Sequence, residues 1–244
     1  MAVRLDQFLA DRGLTETRSR ARDLIRRGRV TVDSETITKP AFQVGDTVEV
    51  SVSREARDVS RGAEKLRAAL AAFAFDVAGR TFIDVGASTG GFTQALLDAG
   101  ASHVTAVDVG RGQLAPALAA DARVTNLEQT DARTLTAGQF DTPPGGVMAD
   151  VSFVSVRKVL GPALALCRPG SIAVILIKPQ FELSPDAIGK GGIVRSAEDR
   201  EMAKHLVTDW VGAQPGWRVI DVIPSPITGG DGNAEWLAGA RRDG

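Results

Sequence analysis

The chain has 244 residues, of which 43% are hydrophobic and 24% charged, a composition typical of a globular protein with room for one medium domain and a small one. The longest purely apolar stretch, Ile172 to Ile177, is too short to cross a bilayer and no apolar signal region follows Met1, so we expect a cytoplasmic protein without a membrane segment. The net charge of -1 and the pI near 6.2 do not indicate a nucleic-acid-binding protein, and such a function must therefore rest on local charge.

Cysteine and histidine give little support for redox or metal chemistry. The single cysteine, Cys167, lies in an apolar run and cannot form an internal disulfide, which fits a reducing compartment and predicts a core thiol. The two histidines, His103 and His205, are far apart, with no cysteine or second histidine at ligand spacing. We therefore expect no metal ion.

Residues 1 to 59 predict a small α+β domain followed by a linker. Apolar residues at helical spacing predict a first helix that Gly13 ends, and a second helix is predicted from Ser19 to Arg27. The short strands are predicted at Val30 to Val32, Thr36 to Thr38 and Asp46 to Val50. The polar segment from Ser51 to Ser60 has no periodicity and predicts the linker.

The second helix of this region carries a cationic stripe. Seven arginines lie between Arg12 and Arg29, against the two acids Glu16 and Asp23, a local balance of +5. Helical spacing places the arginines on one face and the apolar residues on the other. Guanidinium groups pair with phosphate oxygens in two parallel hydrogen bonds, so the stripe could follow an RNA backbone. A solvated helix face is the alternative. The candidate RNA-binding residues are Arg4, Arg18, Arg20, Arg22, Arg26 and Arg29.

The arrangement Arg4-Leu-Asp-Gln-Phe-Leu-Ala, followed by Thr17-Arg-Ser-Arg-Ala-Arg-Asp-Leu-Ile-Arg-Arg-Gly-Arg-Val-Thr-Val-Asp, resembles the S4 RNA-binding domain. This resemblance favours RNA binding over a solvated helix face.

From residue 60 to 244 the pattern predicts an α/β domain. A long helix is predicted from Ser60 to about Phe73, and beyond Gly79 strands alternate with glycine turns and helices such as Phe92 to Ala99. The strands are predicted at Thr81 to Val85, His103 to Val107, Met148 to Val151 and Ile172 to Ile177. Such alternation predicts a Rossmann-like parallel sheet with helices on both faces.

The first of these strands runs into a glycine-rich turn. The turn residues are Gly86, Ala87, Ser88, Thr89, Gly90 and Gly91, and a helix follows. Glycines let the backbone approach a ligand closely, and the helix N-terminus offers free amide donors. Dinucleotide-binding enzymes place a similar turn here, but their pattern is Gly-x-Gly-x-x-Gly, whereas this turn is Gly-x-Ser-x-Gly. That pattern also occurs at the nucleophile of hydrolases, but no histidine with a suitable acid follows.

Three acids favour S-adenosylmethionine as the ligand. Asp84 stands before the glycines, where a carboxylate can hold a cationic amino-acid group. Asp108 ends the second strand and can take two ribose hydroxyls. Asp131 follows a third hydrophobic patch and could accept a hydrogen bond from an adenine amino group. Each acid alone could instead cap a turn or helix.

Six segments carry a resemblance to the TlyA family, also called haemolysin A. These segments are Ser60-Arg-Gly-Ala-Glu-Lys65-Leu, Asp84-Val-Gly-Ala-Ser-Thr-Gly-Gly-Phe-Thr, Val107-Asp-Val-Gly-Arg-Gly-Gln-Leu, Asp150-Val-Ser-Phe, Ile177-Lys-Pro-Gln-Phe-Glu182 and Gly232-Asn-Ala-Glu235. The resemblance covers nearly the whole chain. It implies an S4 domain joined to an FtsJ-like, S-adenosylmethionine-dependent methyltransferase that modifies the 2′-hydroxyl of cytidines in 16S or 23S ribosomal RNA, with ribosomal RNA or ribosomal subunits as partners. It also implies a catalytic tetrad, Lys65, Asp150, Lys178 and Glu235.

These residue types suit the implied reaction. A ribose hydroxyl is a poor nucleophile at neutral pH, so a protein group must take its proton or steer it. Lys178, expected near Asp150 and Glu235, is the candidate for steering or deprotonating this hydroxyl. Desolvation and the second cation Lys65 would lower its pKa, and the carboxylates would raise it. Alignment of the reacting atoms could supply much of the rate instead. As an alternative, each tetrad residue alone could be an ordinary surface charge or cap.

Two departures from the family pattern remain. Asp131-Ala-Arg133 stands where an asparagine is expected, and the linker Ser53 to Arg57 is atypical. The glycine-rich loop from Leu183 to Arg195 could close over RNA or could be mobile.

Four other functions compete with this one: a catalytically inactive RNA-binding or ribosome-assembly factor, a haemolysin-like pore former, an S4-bearing pseudouridine synthase, and a small-molecule methyltransferase. The intact glycine turn and tetrad argue against an inactive protein, and no membrane segment of suitable length supports a pore former. A pseudouridine synthase would leave the glycine turn without a role.

Overall fold

The structure, a computed structural model, describes residues 2–15, 17–26, 28–45, 47–53 and 58–244. It divides into two compact units, Met1–Asp58 and Val59–Gly244. Arg27, at the predicted end of the second helix, and residues 54–57 of the predicted linker lie outside the described residues.

The first unit combines two helices with short strands. Its elements are β1 (Val3–Arg4), α1 (Leu5–Asp11), α2 (Arg18–Arg26), β2 (Val30–Val32), β3 (Glu35–Thr36), β4 (Gln43–Val44) and β5 (Val50–Val52). Strand β2 pairs antiparallel with both β3 and β5, and β1 pairs with β4. The helices bury Leu5, Leu9, Leu24 and Ile25 against this small core, as an apolar face at helical spacing requires.

Two predicted strands of this unit are misplaced. The strand predicted at 46–50 is wrong, because β5 begins at Val50 and pairs Val52 with Val30, inside the segment predicted as a linker. The predicted 36–38 strand is shifted, because β3 covers Glu35–Thr36 and the hairpin turn is the two residues Asp33 and Ser34, both with positive φ. A two-residue turn of this kind fixes the register of the strands around it.

The second unit is an α/β domain. Its helices are α3 (Gly62–Ala72), α4 (Gly91–Asp98), α5 (Pro116–Ala119), α6 (Val156–Val159), α7 (Gly161–Leu166), α8 (Pro179–Glu182) and α9 (Ala197–Gly212), with 3-10 turns at Ala132–Thr134, Ala137–Gln139 and Pro185–Ala187. Its strands are β6 (Thr81–Val85), β7 (His103–Val107), β8 (Val124–Leu127), β9 (Gly146–Ala149), β10 (Ile172–Ile177), β11 (Trp217–Pro224) and β12 (Trp236–Arg242). Over the described ranges, no helix has the length and apolar character needed to cross a membrane.

The seven strands form one sheet in the order β11-β12-β10-β9-β6-β7-β8. The prediction of an α/β, Rossmann-like fold is confirmed, and five of the seven strands form the predicted parallel sheet. Strands β10, β9, β6, β7 and β8 are mutually parallel, whereas β12 runs antiparallel between β10 and β11. No sequence pattern predicts β12, since Trp236–Arg242 mixes apolar, glycine and arginine residues without alternation.

Both faces of the sheet are covered by a hydrophobic core. One cluster packs α3 and α4 against it through residues such as Leu66, Phe73 and Leu96. The other contains Leu160, which precedes α7, Leu164 from α7 itself and Val207 from α9. Cys167 belongs to this second cluster, and burial raises the pKa of its thiol to about 12, which confirms the prediction of a core thiol.

Candidate active site

The four tetrad candidates come from separate parts of the chain. Asp150 follows β9 and Lys178 follows β10, and parallel strands end at the same edge of a sheet. Glu235 precedes β12, and because that strand is antiparallel its first residue, Trp236, pairs with Ile177 at that same edge. Lys65 comes from α3, which packs on one face of the sheet. The antiparallel strand therefore brings Glu235 beside Lys178.

The four side chains form two ion pairs. Lys178 Nζ lies 2.6 Å from Asp150 Oδ1, and it also donates to Ser152 Oγ at 2.7 Å. Lys65 Nζ pairs with Glu235 Oε2. The two pairs differ in exposure, because the side chains of Lys178 and Asp150 are 11% and 23% exposed, against 7% and 2% for Lys65 and Glu235. The Lys178–Asp150 pair is thus the one that a substrate can reach.

The glycine turn lies directly against the Asp150 loop. Gly86 has φ +81°, and a Cβ there would lie 2.6 Å from the carbonyl oxygen of Asp150, so a side chain has no room. Gly90 has φ +95°, and a Cβ would lie 2.3 Å from Leu118 Cδ1. Gly91 begins α4 against Ser60. Only glycine fits these positions without strain, which explains the glycines of the motif.

The remaining turn residues are fixed by backbone contacts. The amide of Ala87 donates to Val107 at 3.2 Å, and the carbonyl of Thr89 accepts from Ala115 at 3.2 Å. Ser88 is exposed and has φ +47°, a conformation that non-glycine residues rarely adopt. The amides of Gly86, Ala87, Ser88 and Gly90 all donate to groups of the protein, so these bonds hold the turn in one conformation.

Two neighbouring cavities open on this edge. The larger, about 290 Å³, is bounded by residues from the glycine turn, the ends of β7 and β9 and the 3-10 turn: Val85, Gly86, Ser88, Val107, Asp108, Val109, Gln113, Thr130, Asp131, Ala132, Asp150, Val151, Ser152, Phe153, Val154 and Val159. The smaller, about 150 Å³, lies between the glycine turn and Lys178. The two share Gly86, Ser88, Asp150 and Ser152, so they lie side by side along this edge.

Two of the predicted cofactor acids lie on the wall of the larger cavity. Asp108 accepts hydrogen bonds from the amides of Ser88 at 2.8 Å and Gly110 at 2.7 Å, which fix its carboxylate at the end of β7. Asp131 caps the 3-10 turn through the amide of Arg133 at 2.9 Å and also pairs with the Arg133 guanidinium, which lowers the pKa of Asp131 to about 2. Asp131 therefore is a cap as well as a cavity residue.

Asp84 is placed differently from the sequence expectation. Its side chain is fully buried and accepts a hydrogen bond from the Thr93 hydroxyl at 2.7 Å. Its Oδ1 has no hydrogen-bond partner among the described residues, and the described walls of both cavities do not include it. Burial raises the pKa of Asp84 to about 7, against the opposing effect of Thr93. The carboxyl group therefore lies beneath the turn, at the start of α4.

Glu182 is a functional candidate that the sequence analysis quoted only as part of a motif. Its buried carboxylate accepts from the Ser155 hydroxyl at 2.6 Å, the Val156 amide at 2.8 Å and the Arg157 guanidinium at 3.1 Å. Arg157 also donates to the carbonyl of Glu182 at 3.1 Å. These bonds tie the segment after Lys178 to the segment after Asp150. The sequence signal that could have indicated this role is the position of Glu182, an acid four residues after Lys178.

Asn233 performs a similar task for the glycine-rich loop. Its side chain is buried, accepts from the Val194 amide at 2.9 Å and donates to the Gly192 carbonyl at 2.8 Å. The loop that was predicted either to close or to be mobile is therefore fastened next to Glu235. Whether it closes over RNA stays a prediction.

An aromatic pair stands at the mouth of the larger cavity. Phe153 is 92% exposed with φ +66°, and its ring centroid lies 5.4 Å from that of Phe181. A phenylalanine that combines a positive φ with such high exposure is unusual, and the combination points to a functional constraint. In the sequence, Phe153 stood out only as the last residue of the Asp150-Val-Ser-Phe segment.

In the first unit the predicted face of α2 is confirmed, since Ala21, Leu24 and Ile25 are buried. The six arginine candidates divide into groups. Arg4, Arg18 and Arg22 all contact the buried Asp6, which the sequence analysis did not single out. Arg20 bonds to the carbonyl of Asp58 and lies 3.6 Å from Asp23, Arg26 is exposed, and Arg29 is half-buried.

Comparisons with known proteins agree with these two units. The FtsJ-like methyltransferase family model matches residues 59–242, and the S4 domain model matches residues 3–50. The 16S/23S rRNA (cytidine-2′-O)-methyltransferase TlyA of Mycobacterium tuberculosis is 44% identical over 239 residues, covering 96% of this chain and 88% of that protein. Hemolysin A of Brachyspira hyodysenteriae is 37% identical, covering 97% of this chain and 98% of its own. The solved structure of a suspected hemolysin from Streptococcus thermophilus superposes with a TM-score of 0.76 at 38% identity, covering 99% of this chain and 89% of that one.

Proposed function

The chain belongs to the FtsJ-like methyltransferase family, within it to the TlyA family, and from this premise we propose that it methylates the 2′-hydroxyl of a cytidine in 16S or 23S ribosomal RNA. The observation that carries the proposal is the Lys178–Asp150 ion pair on the wall of the cavity that the glycine turn also forms. The pair lies where an acceptor hydroxyl and a methyl donor would meet.

S-adenosylmethionine is the cofactor, and the larger cavity fits it. The side-chain-free backbone of Gly86 leaves the turn open, and the fixed Asp108 carboxylate keeps lone pairs for the two ribose hydroxyls. Asp131 would accept from the adenine amino group at the far wall. Asp84 supports the turn from below and is assigned no direct contact. When bound, the cofactor supplies a methyl group on a sulfonium, an electrophile that a ribose oxygen can attack.

Lys178 is the residue that would touch the acceptor. Its ammonium group carries three N–H bonds, of which Ser152 engages one, and Asp150 Oδ1 lies 2.6 Å away as its counter-ion, so a remaining N–H can hold the 2′-oxygen in line for attack. The 2′-oxygen would form its bond to the methyl carbon as the methyl–sulfur bond breaks, and the hydroxyl proton would pass to the Asp150 carboxylate, because the Lys178 ammonium has no lone pair to accept it. Holding the oxygen in a fixed direction is the larger part of this contribution, because the reaction requires a narrow range of angles.

The Lys65–Glu235 pair supports this arrangement from inside the protein. It is almost fully buried, so it cannot be the first contact of an RNA substrate. A buried pair in which each charge offsets the other keeps the surrounding electrostatics fixed, and removing one partner leaves an unpaired buried charge. We therefore assign Lys65 and Glu235 to the support of the site and Lys178 and Asp150 to contact with the acceptor.

The acceptor nucleotide needs a surface for its base. The exposed ring of Phe153, held against Phe181, offers such a face beside the catalytic pair. Base stacking on an aromatic ring is tolerant of sequence, so this surface would hold a base without selecting it. Choice of cytidine would come from contacts elsewhere.

The substrate is ribosomal RNA, alone or in ribosomal subunits, and an enzyme that modifies it would work in the cytoplasm. The S4 domain and its arginines, Arg4, Arg18, Arg20, Arg22, Arg26 and Arg29, would hold the RNA backbone. The absence of a metal ion stays a prediction.

The test is methyl transfer from tritiated S-adenosylmethionine to purified 30S and 50S subunits that lack the modification. Alkaline hydrolysis then separates the products, because a 2′-O-methyl group protects the adjacent phosphodiester bond and a base methyl group does not. Label in alkali-resistant dinucleotides supports the proposal. Label in bases only, or no label although the protein binds the cofactor, contradicts it and favours an amino-nitrogen methyltransferase or an inactive RNA-binding factor.

A further inference from the structure

An acid lies at the centre of the arginine surface of the first unit. Asp6, in the first turn of α1, has no exposed side-chain surface, and three arginines contact it. Arg4 donates to it through Nε at 3.0 Å and Nη2 at 3.2 Å, Arg18 through Nε at 3.1 Å and Nη2 at 3.4 Å, and Arg22 through Nε at 2.8 Å. These contacts hold the pKa of Asp6 far below its usual range, so it is an anion at any pH at which the protein works.

Asp6 fixes the three guanidinium groups in place, but their side chains remain partly exposed to solvent. The side chains of Arg4, Arg18 and Arg22 are 39%, 43% and 45% exposed, whereas Asp6 is 0% exposed. A guanidinium has five N–H donors, and Asp6 engages at most two from each arginine. Within the part of the chain that the structure describes, Asp6 thus leaves at least three donors of each arginine for a ligand. The cluster, which we name the Asp6 fan, keeps a net charge of +2.

We propose that the Asp6 fan is a preformed site for RNA backbone phosphate, and that Asp6 is the positioning residue that builds it. The inference rests on the proposed function, since it assumes that this unit binds RNA. Free arginine side chains at one surface would repel each other and lose rotamer freedom on binding. A shared buried carboxylate removes both costs before the ligand arrives, because it offsets one of the three charges and fixes all three side chains.

Charge alone predicts the opposite effect of Asp6. RNA binding is governed by phosphate neutralisation, so the removal of any acid from a cationic surface should tighten it. If the fan is a preformed site, the removal of this particular acid should weaken binding although the net charge becomes more positive. The sign of the effect therefore separates a positioning role from a simple electrostatic one.

The test compares two variants that add the same charge. Asp6→Asn removes the centre of the fan, and Asp23→Asn removes an acid from α2, where it lies 3.6 Å from Arg20 and outside the fan. Binding of the full-length protein to purified ribosomal subunits and the kinetics of methyl transfer are measured at one salt concentration. We expect Asp6→Asn to raise Kd and KM about tenfold with kcat unchanged, and Asp23→Asn to leave both within about twofold or lower them.

A third protein keeps the test decisive if Asp6→Asn disturbs folding, which circular dichroism and proteolysis of the first unit would reveal. Arg18→Lys combined with Arg22→Lys keeps the charge and the buried acid but removes the forked donors. We expect a rise in Kd of similar size for this double variant. Asp6→Asn that folds and binds as tightly as the unchanged protein, or a double lysine variant with unaltered Kd, overturns the inference. If the unchanged protein neither binds nor methylates the subunits, the proposed function fails instead.

Discussion

The buried carboxyl group of Asp84 predicts an unusual pH dependence of stability. Its pKa is about 7 in the folded protein against an ordinary value of 3.8, because burial disfavours the charged form. Above about pH 4 the unfolded chain has lost this proton while the folded protein keeps it, so the free energy of unfolding falls as the pH rises towards about 7 and levels off above it. The slope is about 1.4 kcal/mol per pH unit near pH 5 and falls to half that value at the folded-state pKa, so the loss between about pH 5 and pH 7 amounts to about 2 kcal/mol.

Asp84→Asn isolates this effect. Asparagine keeps an oxygen for the Thr93 hydroxyl and cannot ionise, so it resembles the protonated acid. Urea unfolding followed by tryptophan fluorescence measures the second unit alone, because all three tryptophans, Trp210, Trp217 and Trp236, belong to it. We expect the unchanged protein to lose about 2 kcal/mol relative to Asp84→Asn from about pH 5 to pH 7. A difference between the two proteins that is constant across this range would refute the assignment of a buried, protonated Asp84.

Three further predictions concern the turn, the support of the catalytic pair and the first unit. Gly86→Ala should lower the free energy of unfolding by about 2 kcal/mol and weaken cofactor binding in calorimetry, because Gly86 has a positive φ and a Cβ there would clash with the Asp150 carbonyl. Gly161→Ala is the control: open space surrounds Gly161, so its stability should change by less than about 1 kcal/mol. Glu182→Gln should destabilise the protein by about 2 kcal/mol and lower kcat, since it loses the charge-assisted bonds that tie the segment after Lys178 to the segment after Asp150. Glu198→Gln, at an exposed position, is the control, and equal kcat values for the two variants would contradict a supporting role of Glu182. Deletion of residues 1–59 should abolish transfer to ribosomal subunits while calorimetric binding of S-adenosylmethionine persists; full transfer by the truncated protein would favour a small-molecule methyltransferase.

Local patterns were sufficient to predict most of the elements near the site. Strands Thr81–Val85, His103–Val107 and Ile172–Ile177 have the predicted bounds, because the first ends at the glycine turn and the other two are largely apolar and end before a charged residue. Trp217–Pro224 and Trp236–Arg242 were missed, since an edge hairpin with one partly exposed strand has no such run. The position of Glu235 beside Lys178 depends on this hairpin, so residue types alone could not predict it.

Pairing and burial were the parts of the site that the sequence could not provide. It indicated that Lys65, Asp150, Lys178 and Glu235 belong together but not that they form two pairs of different exposure, which depends on where α3 packs. It suggested a ligand contact for Asp84, whereas a buried position beneath the turn follows from the packing of α4. Polar residues that hold loops together, such as Glu182, leave no distinctive spacing.

The most direct test of the central claim is single-turnover methyl transfer to unmodified ribosomal subunits by Lys178→Ala, with the exposed Lys158→Ala as the matched control. If the Lys178–Asp150 pair directs the 2′-hydroxyl, Lys178→Ala should slow ribose methylation by about 100-fold or more while binding S-adenosylmethionine as before, and Lys158→Ala should stay within about threefold of the unchanged protein. Ribose methylation by Lys178→Ala at the unchanged rate would contradict the account.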